Sequence, residues 1–247
     1  MVTIKDIMPF LTAGSALPEL YAVRYENTLC NIGDGGVIQD IGDFPALDVN
    51  GLAFNPANGN LYMIASQNSS QRGIYLVNEN TPSTSTRLFI TDSITGSLVV
   101  HNGRFYYADG AALQRAEFDG SNKINLGRFS IGNFSPINGL ASDGTNLYAI
   151  QALGNNHDIR LYTVNEVNNG ITSSTYISIA GVKATSQFLG STMHNGIMYV
   201  CHTPDYSAAT KLISLDPTSG EYDELATITG AGLSNAQLVI TGLAARP

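Results

Sequence analysis

The 247-residue chain is predicted to fold as an all-β, five-bladed β-propeller, and three observations carry that prediction. An apolar–tyrosine pair recurs five times, as Leu20-Tyr21, Leu61-Tyr62, Phe105-Tyr106, Leu147-Tyr148 and Met198-Tyr199, with the tyrosines 41, 44, 42 and 51 residues apart. A period of about 40 to 50 residues marks a repeat architecture in which one supersecondary unit recurs. A turn dipeptide precedes four of the pairs: Asn58-Gly59, Asn102-Gly103, Asp143-Gly144 and Asn195-Gly196. Finally, the chain ends on Ile240-Thr241-Gly242-Leu243-Ala244, which matches the opening strand of a unit but has no later strands to join.

Each unit opens with a short strand of small, polar and apolar residues: Asn50-Gly51-Leu52-Ala53, Thr95-Gly96-Ser97-Leu98 and Asn138-Gly139-Leu140-Ala141. Asn-Gly and Asp-Gly supply the positive φ of a tight hairpin, so the apolar–tyrosine pair begins a second, antiparallel strand. Two further strands follow, for example over 73–77 and 86–91. The last two strands are joined at Asp34-Gly35, Asp119-Gly120, Asn169-Gly170 and Ser219-Gly220. No 3.6-residue period appears, and each unit reads as a four-stranded antiparallel meander. One such sheet cannot cover both of its faces, whereas five arranged radially can. The first pair lacks an opening strand, so the C-terminal strand is expected to complete the first blade and remove its free edge. Residues 1–17 then form an N-terminal arm, and 18–247 a single propeller domain.

Gly51-Leu52-Ala53-Phe54-Asn55-Pro56 followed by Gly59-Asn60-Leu61-Tyr62 resembles the repeat of the broad NHL, YVTN and lactonase-type propellers. Gly139-Leu140-Ala141 with Leu147-Tyr148, and Leu215-Asp216-Pro217 with Ser219-Gly220, resemble other parts of it. The resemblance implies the fold and transfers no catalytic residue, because functions differ widely on one fold.

Composition excludes several partners. Charged residues are 13% of the chain and its net charge is −8. Nucleic acid and anionic membranes are recognised by clustered Lys and Arg, whereas the four lysines here are scattered. No apolar run reaches the ~20 residues of a membrane span. The start of the chain does not read as a secretory signal, since Lys5 is followed by Asp6 and Pro9 interrupts a short apolar stretch. Cys30 and Cys201 stand in apolar strands and read as buried thiols; a disulfide between the first and last blades remains an open alternative.

Loops between second and third strands share the face that carries the blade-to-blade connections. Three of them are long and polar, over 66–72, 151–158 and 202–209. They form the expected binding face, with Gln67, Asn68, Arg72, Gln151, Asn155, Asn156, His157, Asp158, His202, Asp205 and Tyr206 as its candidates. Arg24, Asp109, Gln151 and His202, each three residues after a repeat tyrosine, are expected at one rim. His101 and His194 read as turn residues. A metal shared by His157, Asp158, His202 and Asp205 lacks any short ligand spacing, and no EF-hand pattern speaks for Ca²⁺, so no metal or cofactor is expected. Gly-x-Ser-x-Gly, the P-loop and Gly-x-Gly-x-x-Gly are all missing. The expected inner strands, Gly-Leu-Ala-Phe, Ser-Leu-Val-Val, Gly-Leu-Ala-Ser and Gln-Phe-Leu-Gly, hold no carboxylate for glycoside hydrolysis; Asp48 and Asp92 lie outside them.

These readings point to a non-catalytic interaction module without a cofactor. The expected setting is a larger particle such as a phage virion or tail, where it is structural or binds a receptor. Localisation on a virion or an extracellular surface follows from that setting. The partners expected are other protein chains, docked through Val2, Ile4, Ile7 and Phe10 of the arm, and a cell-surface glycan. A free-standing glycan-binding propeller is the alternative, and a lactonase- or glycosidase-type enzyme the third reading.

Overall fold

Each apolar–tyrosine pair lies at or one residue after the start of the second strand of one sheet, and the five sheets are the blades of a propeller. The computed structural model describes residues 16–25, 27–44, 48–65, 71–91, 96–128, 136–153, 158–172, 176–183, 189–203 and 208–247. Blade one contains β1 (Leu20–Arg24), β2 (Thr28–Ile32), β3 (Ile38–Asp43) and the C-terminal β21 (Ile240–Ala245), in the order β21-β1-β2-β3. Blade two is β4 (Val49–Phe54), β5 (Leu61–Ala65), β6 (Gly73–Leu76) and β7 (Thr86–Phe89). Blade three is β8 (Leu98–His101), β9 (Arg104–Asp109), β10 (Ala112–Ala116) and β11 (Ile124–Arg128). Blade four holds β12 (Ile137–Ser142), β13 (Leu147–Leu153), β14 (Asp158–Val167), β15 (Gly170–Thr172) and β16 (Tyr176–Lys183). Blade five is β17 (Leu189–His194), β18 (Ile197–His202), β19 (Lys211–Leu215) and β20 (Tyr222–Thr227). All strand pairs are antiparallel, and the described residues contain no α-helix.

The expected closure is present: β21 pairs with β1 through Leu20↔Ala245, Tyr21↔Ala244 and Ala22↔Leu243. Three local expectations need correction. Only Asn102-Gly103 and Asn195-Gly196 carry positive φ at both residues; at Asn58-Gly59 and Asp143-Gly144 the glycine alone does. Those two connections are longer than a two-residue hairpin: residues 55–60 separate the strand ends Phe54 and Leu61, and residues 143–146 separate Ser142 and Leu147. In blade four the positive φ falls on Asn168 and Asn169, and the ten-residue β14 is shared. Its first half pairs with β16 and its second half with β15, so two strands divide the outer position. The fifth inner strand is Leu189–His194, displaced from the expected Gln187-Phe188-Leu189-Gly190.

Five apolar cores lie between successive blades, and each receives one repeat tyrosine. Because successive strand residues point to opposite faces, the pair splits. Leu20 packs between blades five and one while Tyr21 packs between one and two; Leu61 and Tyr62 do the same one interface further round, and Phe105 and Tyr106 the next. Leu147, Tyr148, Met198 and Tyr199 complete the ring. All five tyrosines are buried, at 3 to 6% exposure, so the repeat that identifies the fold belongs to the core.

At the axis the inner strands approach so closely that side chains are excluded. A Cβ on Gly51 would lie 2.7 Å from the Leu98 backbone nitrogen, and one on Gly242 would lie 3.1 Å from the Gly51 backbone. Hydroxyls then satisfy exposed backbone groups of the neighbouring blade. Leu140 N donates to Ser97 Oγ at 2.7 Å, Ser191 Oγ donates to Leu140 O at 3.2 Å, and Ala245 N donates to Thr192 Oγ1 at 3.0 Å. Thr241 Oγ1 donates to Val49 O at 2.8 Å, joining blade one to blade two.

Gly51→Ala is therefore expected to cost about 2 kcal/mol or more, because a methyl group must displace backbone rather than a side-chain tip. Urea denaturation checks this: the midpoint should fall, while Gly59→Ala, where a Cβ meets open space but φ is +70°, should cost less.

Candidate functional site

The two faces of the ring differ in what the structure describes. On the face of the second-to-third-strand loops, Gln67, Asn68, Asn155, Asn156, His157, Asp205 and Tyr206 lie outside the described residues, as do Val2, Ile4, Ile7 and Phe10 of the arm. Asp158 opens β14, and its side chain also lies outside them. Arg72 is half-buried at the start of β6. Gln151, within β13, and His202, at the end of β18, are buried, at 3 and 6% exposure. Arg24 ends the equivalent strand of blade one, where its guanidinium grips Asp40 through Nε at 3.0 Å and Nη2 at 2.8 Å. Asp109 ends the equivalent strand of blade three.

The opposite face carries the hairpins and a central funnel of about 620 Å³. Its floor is the ends of the inner strands, and its rim the turns at Asn55-Pro56, Asn102, Asp143 and Asn195 together with Pro247. Blade one has no hairpin here, because β21 and β1 come from opposite ends of the chain. Arg246 N donates instead to Glu19 O at 2.9 Å, so both described chain ends meet on this face.

His101 ends β8 in this rim, buried, and its edge meets Tyr106 at a centroid distance of 5.6 Å. Its Nδ1 lies 2.7 Å from Ser142 Oγ, a spacing that invites comparison with a serine–histidine dyad. The other ring nitrogen decides against it. Asn102 Nδ2 lies 3.0 Å from Nε2 and donates to it, which leaves the proton of the neutral ring on Nδ1. The nitrogen facing the serine is thus a donor rather than a base. Ser142 Oγ also accepts from Gly144 N at 3.0 Å, so the pair braces the rim. Burial lowers the His101 pKa, against a smaller upward pull from Asp143.

Asp143 is the carboxylate among the funnel residues. Burial pushes its pKa up, but the hydrogen bonds outweigh that and hold it below the usual value. Asn146 N donates at 2.6 Å, Thr145 N at 2.8 Å, Asn146 Nδ2 at 3.1 Å and Tyr148 OH at 3.2 Å. A carboxylate so fully engaged is a turn anchor.

Between blades the same face carries two related grooves, both built on a repeated Val-Asn-Glu that the spacing of the tyrosines does not reveal. Val77-Asn78-Glu79 follows the third strand of blade two, and Val164-Asn165-Glu166 occupies the same register in blade four. Each glutamate takes an arginine from the blade before it. Arg115 of β10 pairs with Glu166, which also accepts from Tyr106 OH at 2.8 Å. Arg246 pairs with Glu79 and, at 2.7 Å, with Glu19, while its guanidinium lies 5.0 Å from the Tyr21 ring centre and 5.1 Å from that of Phe54. Burial, then the neighbouring carboxylates, push the Tyr21 phenol up to about 12 despite the arginine.

Cys30 and Cys201 are free, fully buried thiols in the same core between blades five and one. Burial raises both pKa values, that of Cys30 to about 12. Among the described residues no three His, Cys, Asp or Glu side chains cluster in a way that could hold a metal ion. No described helix is long and apolar enough to cross a membrane.

No protein-family model and no curated protein matches the sequence. Solved structures do match. A chain of the nidogen/laminin complex is 13% identical with a TM-score of 0.59, over 94% of this chain and 99% of that one. A gluconolactonase from Xanthomonas campestris is 14% identical with a TM-score of 0.53, over 92% and 94%. GH43B of the Bacteroides ovatus xyloglucan PUL is 12% identical with a TM-score of 0.55, over 76% of this chain and 42% of that one. At these identities the likeness shows the propeller fold alone.

Two measurements check the site. His101 is harder to protonate in the folded protein than at its ordinary 6.5. The unfolded chain therefore binds the extra proton as pH drops through 6.5, and stability falls in that window. The melting temperature should decline from pH 7.5 to 5.5, and His101→Gln should make the decline smaller. The buried thiols should stay silent towards Ellman's reagent in the native protein, and two should react after denaturation.

Proposed function

We propose that this chain is a non-catalytic interaction module, a structural or receptor-binding component of a larger particle such as a phage virion or tail. The observation that carries the non-catalytic part is the state of the polar groups in the funnel. His101 donates where a base would accept, and Asp143 is held by four donors, so neither is poised for proton transfer. The gluconolactonase and GH43B likenesses support an enzyme only through their fold.

Several features support a place in an assembly. The surface is charge-poor, and outer strands expose Leu88, Ile90, Tyr176 and Tyr222 at their edges or just beyond. In this reading the N-terminal arm, residues 1–17 with the apolar Val2, Ile4, Ile7 and Phe10, docks the module on its partner chains. The nidogen/laminin likeness supports protein binding as a use of this architecture. A free-standing glycan-binding propeller is the second reading, favoured by the density of asparagine along the inter-blade grooves.

Light scattering on the full chain and on a chain lacking residues 1–12 tests the assembly reading. The full chain should be recovered as an oligomer or with its particle, and the shortened one as a folded monomer. The same preparation should leave lactones and aryl glycosides intact. A full chain that is a clean 26.2 kDa monomer joining no particle would overturn the assembly reading, and hydrolysis of either substrate would overturn the non-catalytic one.

A further inference from the structure

We propose that the groove between blades one and two, on the hairpin face, is a binding site for a neutral saccharide. The inference rests on the receptor-binding half of the reading above and names its ligand class and its location.

The two inter-blade grooves form an internal comparison. Tyr21 and Tyr106 are equivalent repeat tyrosines, and the residues that pair with them on the next strand are Asn31 and Arg115. In the groove between blades three and four, Arg115 reaches across to Glu166 and donates to Asn169 Oδ1 at 3.0 Å. The long arginine therefore narrows that groove and neutralises its glutamate. In the groove between blades one and two, the shorter Asn31 stands in its place, and Arg246 reaches Glu79 from the rim instead. A larger space of about 800 Å³ is left, against about 660 Å³. Both volumes fall in the range of small-ligand sites.

The walls of the larger groove offer hydrogen-bonding capacity that the fold does not use. Asn31 Oδ1 has no hydrogen-bond partner among the described residues and is shielded from solvent, so a ligand donor meets it once the Asn31 side chain turns towards the groove. The exposed Asn80 side chain likewise makes no hydrogen bond among the described residues, and Asn60 Nδ2 reaches only the Tyr62 hydroxyl at 3.5 Å. The Thr86 hydroxyl lines the same wall.

The support beneath these groups is rigid. Asn78 Oδ1 accepts from Asn80 N and Thr81 N, both at 3.2 Å, and its Nδ2 donates to Thr84 Oγ1 at 3.0 Å. The loop that presents Asn80 is thus ordered before any ligand arrives, which lowers the entropic cost of binding.

Planar amides, a carboxylate and a hydroxyl around a modest apolar floor of Ile41, Leu76 and Val77 match vicinal hydroxyls above a C–H face. A peptide would need deeper apolar pockets for anchoring side chains, and the groove provides none. Charge selects within the class. Its one guanidinium, Arg246, is already shared by Glu19 and Glu79, so an acidic sugar would meet carboxylates without a free cation.

Saturation-transfer NMR on the full chain tests the proposal with methyl glycosides of glucose, galactose, mannose, N-acetylglucosamine and sialic acid. At least one neutral glycoside should bind at millimolar concentration and the sialoside should not. Asn80→Ala with Thr86→Ala, both exposed, should weaken binding roughly five- to tenfold at an unchanged melting temperature. Silence from every neutral glycoside, or preferred binding of the sialoside, would overturn the proposal. So would loss of binding in Arg72→Ala, on the opposite face, with the groove variant unaffected. A silent screen leaves the interaction-module reading standing on light scattering, so the two fail separately.

Discussion

The structure depends on one constraint: a four-stranded sheet has two apolar faces, and each can be covered only by the next blade. The second strand meets this constraint through a dipeptide. One residue of each pair packs against the blade behind and the tyrosine against the blade ahead, so five such pairs link five interfaces in a closed cycle. Burying a large side chain contributes on the order of 1.5 to 3 kcal/mol. Each residue of a pair gains that only when the blade on its own side is in place, so a pair is fully buried only between two neighbours. Closure of blade one by β21 is therefore the step that turns a row of marginal sheets into a cooperative ring.

Five blades in a closed ring crowd the axis, and that crowding governs where binding can occur. Neighbouring backbones approach Gly51 and Gly242 so closely that an added Cβ would lie 2.7 to 3.1 Å from them, and the hydroxyls of Ser97, Ser191, Thr192 and Thr241 pair with backbone groups of the adjacent blades. Buried backbone groups left unpaired would each cost about 1 to 3 kcal/mol. The same short side chains thus allow the close approach and satisfy its polar debt. They also narrow the centre of the ring, so the room for a ligand lies towards the hairpin face, in the funnel and between the blades.

On that face, similar local sequences serve different ends because different arginines reach them. Val-Asn-Glu places a glutamate beside a repeat tyrosine in two grooves. Where the arginine comes from the adjacent strand, it narrows the groove. Where it comes from the C-terminal tail, Asn31 is left at the floor with an unpaired oxygen. The funnel makes a similar point. Ser142, His101 and Asp143 have the residue types of a nucleophilic triad, but Asn102 fixes the wrong tautomer and Asp143 faces its own turn. Residue identity does not decide chemistry here; the direction of each hydrogen bond does.

The fold was legible in the chain because its signals are local. The five pairs, the glycine-bearing turns and the orphan strand 240–244 each report a backbone requirement that neighbouring residues satisfy by themselves. Details set by longer-range pairing were less legible. The division of β14 between two partners and the true start of β17 depend on which strand lies alongside, and two of the four Asn-Gly or Asp-Gly turns proved longer than two residues. Spacing also placed Gln151 and His202 at a common level, but their burial depends on packing at the strand ends. The candidate groove was not legible at all. Asn31 and Glu79 lie far in sequence from Arg246, and only closure of the ring brings the tail of blade one against the third strand of blade two. By itself the sequence determined a five-fold repeat of sheets and the strand that closes it, since those follow from periodicity and turn chemistry. Tertiary structure alone decided which polar groups spend their hydrogen bonds on the fold and which are left without a partner among the described residues, because that depends on contacts between residues no local pattern relates.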